Sequence, residues 1–543
     1  MLGTDPLGIR ALGTSDGTIP PRPPAVTLLE AARLDVVWLV EIDAALAEGL
    51  DPNPIYASDR PYATRPDEAP ANRVYEPLLT LPPFFERSIP ATPEEGVRGR
   101  LALGELALAN VPPAFGHSYG VGGVDPVDGR RTVVKVGGPR FAYADFVTVF
   151  EGAAAGWGAA DDRAVRIALR DVGYRLEKPI QNNLYAGTGG LEGGPELEGR
   201  PKPLVYGYCQ NVTAVLVDPA RLIYQLHDGP VWRIPAVYDA GLPLTNGGTV
   251  DNVESIEPPP GFYIASHLQG MIRLGDTPVG QVTADVEGDA TGNVFAQTTA
   301  DIAQRILETR ADFAVEVDGG SVIALNTLQP APVGIAIGTE VRTIAGVLDE
   351  LLAGISGWWG ADRRGRIQFG RVDAPAGAGV LTLSPVEVLD LEMMPPPASV
   401  DPANWRRRVA WGRNWTVQMS GLAASVSAER KAFLAEPFRV AENPDPAIRE
   451  RYFEAKDPPP VPGLFRDKAA AEAEAMRLRQ LFGTPRFRFR VVTKLKPALV
   501  EPGQIIGLMD TRHGLSPFNP WPAVVLSHRI DADRNRVILE VMV

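Results

Sequence analysis

Apolar and polar residues alternate in short runs along much of the first half of the chain, the period of β-strands with one wet face. Val165, Ile167 and Leu169 fall on one side of such a run and Arg166 and Arg170 on the other. The run Phe146 to Phe150 precedes it and leads into Glu151-Gly152, so the pattern predicts a hairpin with a short loop between two strands. A strand with a buried middle is expected from Arg33 to Asp43, around the compact apolar stretch Val36 to Val40. Further strands are expected from Asn211 to Val217 and from Leu222 to Gln225.

Three stretches switch to helical spacing. From Asp301 to Thr309, Ile302, Ala303, Ile306 and Leu307 share one side, with Thr298 or Thr299 available as a cap. From Arg342 to Ser356, Ile344, Val347, Leu348, Leu351, Leu352 and Ile355 form an apolar stripe behind Thr343. From Asp467 to Phe482, Ala471, Ala475, Leu478 and Phe482 line up before Gly483 and Pro485. Strands are expected after the last two, from Arg366 to Val372 and from Phe487 to Leu495. The Val/Ile-rich run Val537 to Val543 reads as a strand tied into a sheet.

Gly 55 and Pro 52 together approach a fifth of the 543 residues, against about 12% on average, with no collagen period. Tight turns between short strands account for this. Proline triplets at 258–260, 395–397 and 458–460 act as semi-rigid spacers and divide the chain. The expected units are an extended N-terminal arm (1–25), one or more β-rich domains (26–257), a β domain with two helices (261–394), a short connecting segment (398–457), and a helix-plus-strand domain (463–543). The fold class is mainly β with a few packed helices, a multidomain β-rich α+β build.

Charge and cysteine narrow the function. The formal net charge is -13, which disfavours a stable nucleic-acid surface but allows DNA to slide past without sticking. Cys209 is the single cysteine, so no disulfide forms within the chain. Residues 1–25 lack the basic start and apolar run of a secretory signal, and no segment reaches the roughly 18–20 apolar residues of a membrane helix, so assembly in the cytoplasm is expected.

Catalytic patterns are missing, and no catalytic, cofactor-binding or metal residue is assigned. GHSYGVGG at 116–123 has no lysine to reach a phosphate and reads as a loop. Gly354-Ile355-Ser356-Gly357 has Trp358 where a nucleophile elbow needs glycine, so Ser356 reads as a helix-end residue. His117, His227, His267, His513 and His528 show no zinc spacing. Asp285, Glu287 and Asp289 alternate like calcium ligands, but Ala290 and Ala296 occupy the positions that need Gly and Glu. Asp161-Asp162 suits a turn, and Cys209 a buried structural thiol. Trp358-Trp359 and the cluster Trp405, Trp411 and Trp415 suit a core or interface, with a sugar platform as the alternative.

Five stretches resemble baseplate hub and tail-tip proteins of long-tailed bacteriophages, prophages and gene transfer agents. They are IYASDRPYATRPDEAPANRVY (Ile55 to Tyr75) with the strand before it, and Phe150 to Pro179. Next come Lys202 to Gly207 with Asn211-Val212-Thr213 and Tyr224 to Gly229, then Trp358-Trp359-Gly360 with Arg363, Gly365 and Arg366-Ile367-Gln368. The last runs from Glu501-Pro502-Gly503 through His513-Gly514-Leu515. None is a catalytic signature; number and order carry the resemblance. It implies a non-enzymatic structural role in the virion, as a hub joining the end of the tail tube to tip and fibre proteins. It also implies tube-like β domains in a homotrimeric ring, with a distal tail ring and a second hub or tip protein as partners and no cofactor. The alternatives are a sixfold distal tail adaptor, a tail-associated cell-wall hydrolase and a sugar-binding module.

Overall fold

The computed structural model describes residues 28–29, 35–44, 54–81, 84–109, 119–120, 123–124, 127–160, 164–311 and 315–543. The chain is mainly β, with helices packed among several sheets, and multidomain. Residues 1–25, where an arm is expected, lie outside the described residues, as do His117 and Asp161-Asp162. Of the 116–123 stretch, Tyr119–Gly120 pairs with Gly123–Val124.

A seven-stranded antiparallel sheet opens the fold. Its spatial order is Ile55–Ser58, Val37–Ile42, Arg131–Gly137, Val147–Ala160, Ala164–Arg170, Leu106–Ala109, Leu79–Leu81. All six residues of Val37–Ile42 are buried, which is why that strand shows an apolar run rather than alternation. The expected hairpin forms, with Val165 and Ile167 buried and Arg166 exposed. Its first strand continues through Glu151-Gly152, where the pattern placed the start of the loop. Gly152 is a close-approach residue there: a Cβ on it would lie 2.5 Å from the Arg170 carbonyl oxygen.

Two five-stranded sheets face each other over a shared core that includes Val205, Cys209, Ile234, Tyr263 and Val286. The strand expected from Asn211 to Val217 is two strands, Leu204–Thr213 and Val215–Asp218. A bulge between Cys209 and Val212, with Asn211 at φ 55, separates buried Cys209 from the polar end.

The helical stripes bury as their spacing dictates. Thr298 caps Thr299–Arg310 by accepting the Asp301 N–H, and Thr343 caps Ile344–Ala353 by accepting the Gly346 N–H. Both pack with Lys468–Phe482 around one core, joined by the hairpin Gly357–Ala361/Ile367–Arg371 and the sheet of Arg439–Pro444, Arg406–Trp411 and Val461–Phe465. Gly483 ends the last helix at φ -79, not in the left-handed region. Glycine is needed because a Cβ would sit 2.5 Å from the Arg479 carbonyl oxygen. Gly319–Leu328 escaped the pattern: it opens on two glycines, and only Val322 and Leu325 of its residues are buried.

The closing strand Arg536–Met542 lies between Trp521–Asp531 and Arg488–Thr493, as expected of a strand tied into a sheet. Early residues join the same sheet, since Phe84–Ser88 pairs with Trp521–Asp531 and Arg100–Leu103 pairs with Phe84–Ser88. Thr382–Leu383 and Val388–Met394 belong to it as well, pairing with Ile505–Leu508 and Arg488–Thr493.

Candidate functional site

Residues from two of the five resemblance stretches, the fourth and the last, meet at one junction between sheets. Arg87, buried on the strand Phe84–Ser88, pairs with Glu501. The other Glu501 oxygen forms an ion pair with Arg363 Nε at 3.3 Å and accepts the Arg363 backbone N–H at 3.4 Å, and Arg363 Nη1 donates to the Thr148 carbonyl at 2.8 Å. The Trp358 indole is wedged beside two glycines: a Cβ on Gly370 or Gly503 would come within 2.4 Å and 2.7 Å of its ring. His528 lies opposite Arg87 in register, its Nε2 at 2.8 Å from the Pro497 carbonyl. Burial, and then the Arg87 charge, push it down to about 3, so the ring is neutral at pH 7. This arrangement ties the strand Phe84–Ser88, the Gly357–Ala361/Ile367–Arg371 hairpin and the segment around Glu501 together, and Trp358, Arg363, Glu501 and Gly503 also line a cavity of about 550 Å³. Arg87 was not legible in the sequence, because an arginine in FFERS reads as the wet face of a strand.

The remaining flagged residues are dispersed. The Cys209 thiol is buried and pushed up by that burial, so it stays protonated and inert. Asp285 and Asp289 are drawn into separate structural networks. Asp285 accepts the Asn211 N–H and the Tyr238 hydroxyl, while Asp289 accepts Thr291 and Arg305. Buried His227 accepts the Val205 N–H at Nδ1, 2.9 Å away. Among the described residues, no three His, Cys, Asp or Glu side chains are grouped to hold a metal ion, and no helix is long and apolar enough to cross a membrane. Carboxyl groups that burial raises, Asp59 and Asp171 besides Asp285, each accept backbone N–H groups.

The indoles do not form an open platform. Trp358 and Trp359 are buried, and Trp359 donates to Asp349 at 2.9 Å. Arg406 and Arg449 lie over Trp405, Arg439 over Trp411 and Arg413 over Trp415. Guanidinium groups thus occupy ring faces that a sugar would need.

A cavity of about 700 Å³ opens between residues 93–100, the Ile344–Ala353 helix and the third proline triplet. Val97, Ala353, Pro459, Pro460 and Pro462 give it an apolar lining. Of its carboxylates, Glu94 pairs with Arg407, Asp349 with Arg98 and Glu350 with Arg342, while Glu95 accepts the Ala91 N–H. Each is engaged, which is unlike a pair of carboxylates poised for acid–base work.

No family model matches the sequence, and no curated protein matches it. The chain is similar to solved tail proteins. A 43 kDa tail protein of prophage MuSo2 from Shewanella oneidensis is 11% identical with a TM-score of 0.39, over 93% of this chain and 98% of that one. A tail protein from Neisseria meningitidis MC58 is 10% identical with a TM-score of 0.37, over 93% and 96%. A chain from the virion of a native gene transfer agent is 12% identical with a TM-score of 0.40, over 64% and 84%.

Proposed function

We propose that the chain is a structural component of a phage-type tail tip, a baseplate hub that joins the end of the tail tube to tip and fibre proteins in the virion. The carrying observation is the junction of Arg87, Glu501, Arg363 and Trp358, where stretches resembling the hub family close a rigid contact between sheets. What those residues do is architectural, as a hub requires. The engaged carboxylates and covered indoles support a non-enzymatic role over the hydrolase and sugar-binding readings. In this reading three copies close a ring, because head-to-tail contacts between identical chains must close or run on as filaments. The acidic chain lets DNA slide past without binding. Particle-bound density is the test: three copies at the tip are expected, and six copies at the end of the tube would favour the distal adaptor. Clearing of cell walls by the pure protein would overturn the non-enzymatic role.

A further inference from the structure

The chain holds a single Asn-Gly pair, Asn246-Gly247. It lies on the strand Thr245–Thr249, all of whose residues are exposed, at the edge of one of the two facing five-stranded sheets. That strand runs parallel to Phe262–Ser266, with Asn246 opposite Tyr263 and Thr249 opposite Ala265. Between those pairs the register slips, so Gly247 and Gly248 together face Ile264. The backbone departs from regular strand geometry at this slip: Gly248 has φ 122, and a Cβ on it would meet nothing within 4 Å.

The Asn246 side chain is held where it can react with its own backbone. The Gly248 N–H donates to Asn246 Oδ1 at 2.8 Å. That bond folds the carboxamide back over the peptide that follows it and polarises its carbonyl, as a donor aimed at a developing oxyanion does. Gly247 has no Cβ to shield its amide nitrogen from the Asn246 Cγ. We infer that Asn246 is a site of covalent self-modification in the folded protein. The Gly247 nitrogen, losing its proton to water, bonds to the Asn246 Cγ; the Cγ–Nδ2 bond breaks, and ammonia leaves as a five-membered succinimide closes. Water then opens the ring at either carbonyl, giving aspartate or isoaspartate. The net change consumes one water and releases one ammonia, with no oxidant or reductant. Either product places a carboxylate on an edge strand that has no charged residue of its own. Isoaspartate also routes the main chain through Cβ, and the added atom breaks the register of Asn246 with Tyr263. The reaction needs only this chain and water, so it stands apart from the tail reading.

The test incubates the full native chain in mildly alkaline buffer, beside a synthetic peptide of residues 241–253 as the unfolded reference. Mass spectrometry of the digested chain reads the exchange of NH2 for OH at position 246, and enzymatic methylation of the freed α-carboxylate counts isoaspartate. Modification of Asn246 in the native chain is expected to run at least as fast as in the peptide, because the fold supplies the Gly248 donor. Asn246→Gln, which would have to close a six-membered ring, and Gly247→Ala, whose Cβ shields the nitrogen, should each slow the exchange by about tenfold or more without changing the melting curve. A native rate well below that of the peptide would show that the strand protects Asn246 and would overturn the inference. So would an unmodified Asn246 beside other asparagines that react, or an undiminished rate in Gly247→Ala.

Discussion

Arg407 offers a test of how this molecule tolerates charge in its interior. Its side chain is 0% exposed, its guanidinium lies 5.0 Å from the Phe482 ring centre, and Nη1 donates to Glu94 at 2.5 Å. Glu94 itself is 27% exposed. The two partners are therefore unequal. Removing the carboxylate by Glu94→Ala strands a buried cation, whose guanidinium Nε and Nη2 already lack hydrogen-bond partners among the described residues. Breaking a fully buried pair costs about 3–5 kcal/mol, and the partial exposure of Glu94 puts the loss near the lower end, about 3 kcal/mol. Removing the cation by Arg407→Met leaves a carboxylate that water reaches, while the thioether packs on Phe482. That change should stay within about 1 kcal/mol of neutral, in either direction. Urea unfolding, followed by tryptophan fluorescence and far-UV circular dichroism, reads both variants against wild type. The asymmetry is the prediction. If Arg407→Met costs more than Glu94→Ala, the pair is not governed by unequal burial and the reasoning fails.

Other perturbations follow from the same geometry. Leu351→Asp buries an unpaired charge at a position only 1% exposed and should cost on the order of 3 kcal/mol or more; a variant melting like wild type would show the helix face to be misassigned. Deleting residues 537–543 strips Trp521–Asp531 and Arg488–Thr493 of their common partner and should yield aggregating protein, so a soluble, assembling truncation would count against the sheet. His528 binds its proton more weakly in the folded state, about 3, than the ordinary 6.5, and it faces Arg87 and Arg363 with Glu501 between them. Its contribution is whole above pH 6.5 and drains as pH falls towards about 3, by up to roughly 5 kcal/mol; an unchanged acid slope in His528→Asn would refute this. Cys209 should react with a thiol reagent only on unfolding, and prompt labelling of native protein would contradict its burial.

Elements with a full period were legible in the sequence, and those governed by distant neighbours were not. The stripe from Ile344 to Ile355 announced its helix because all six apolar positions face one core. Gly319–Leu328 did not, because Asp318 starts it by accepting the Ser321 N–H and tertiary contacts do the rest. Gly152 reads as a turn residue, yet its role is set by the Arg170 carbonyl on the neighbouring strand. The junction was hidden for the same reason. Arg87 and Glu501 are 414 residues apart, and no local pattern joins them.

That separation has a mechanical consequence. Phe84–Ser88 and Arg100–Leu103 complete a sheet whose other strands lie beyond residue 381, and Val97, Trp359, Val461 and Leu478 share a single core. The proline triplets at 395–397 and 458–460 therefore interrupt the chain without separating what it packs. A load applied at one end of the sequence is met by strands from the other, paired by backbone hydrogen bonds across Ser88 and Ser527. Such a body resists being pulled apart at its linkers, because opening it requires long-range pairs to break together rather than one linker to extend. Such interlocking of distant strands is what the structural role proposed above requires of the chain.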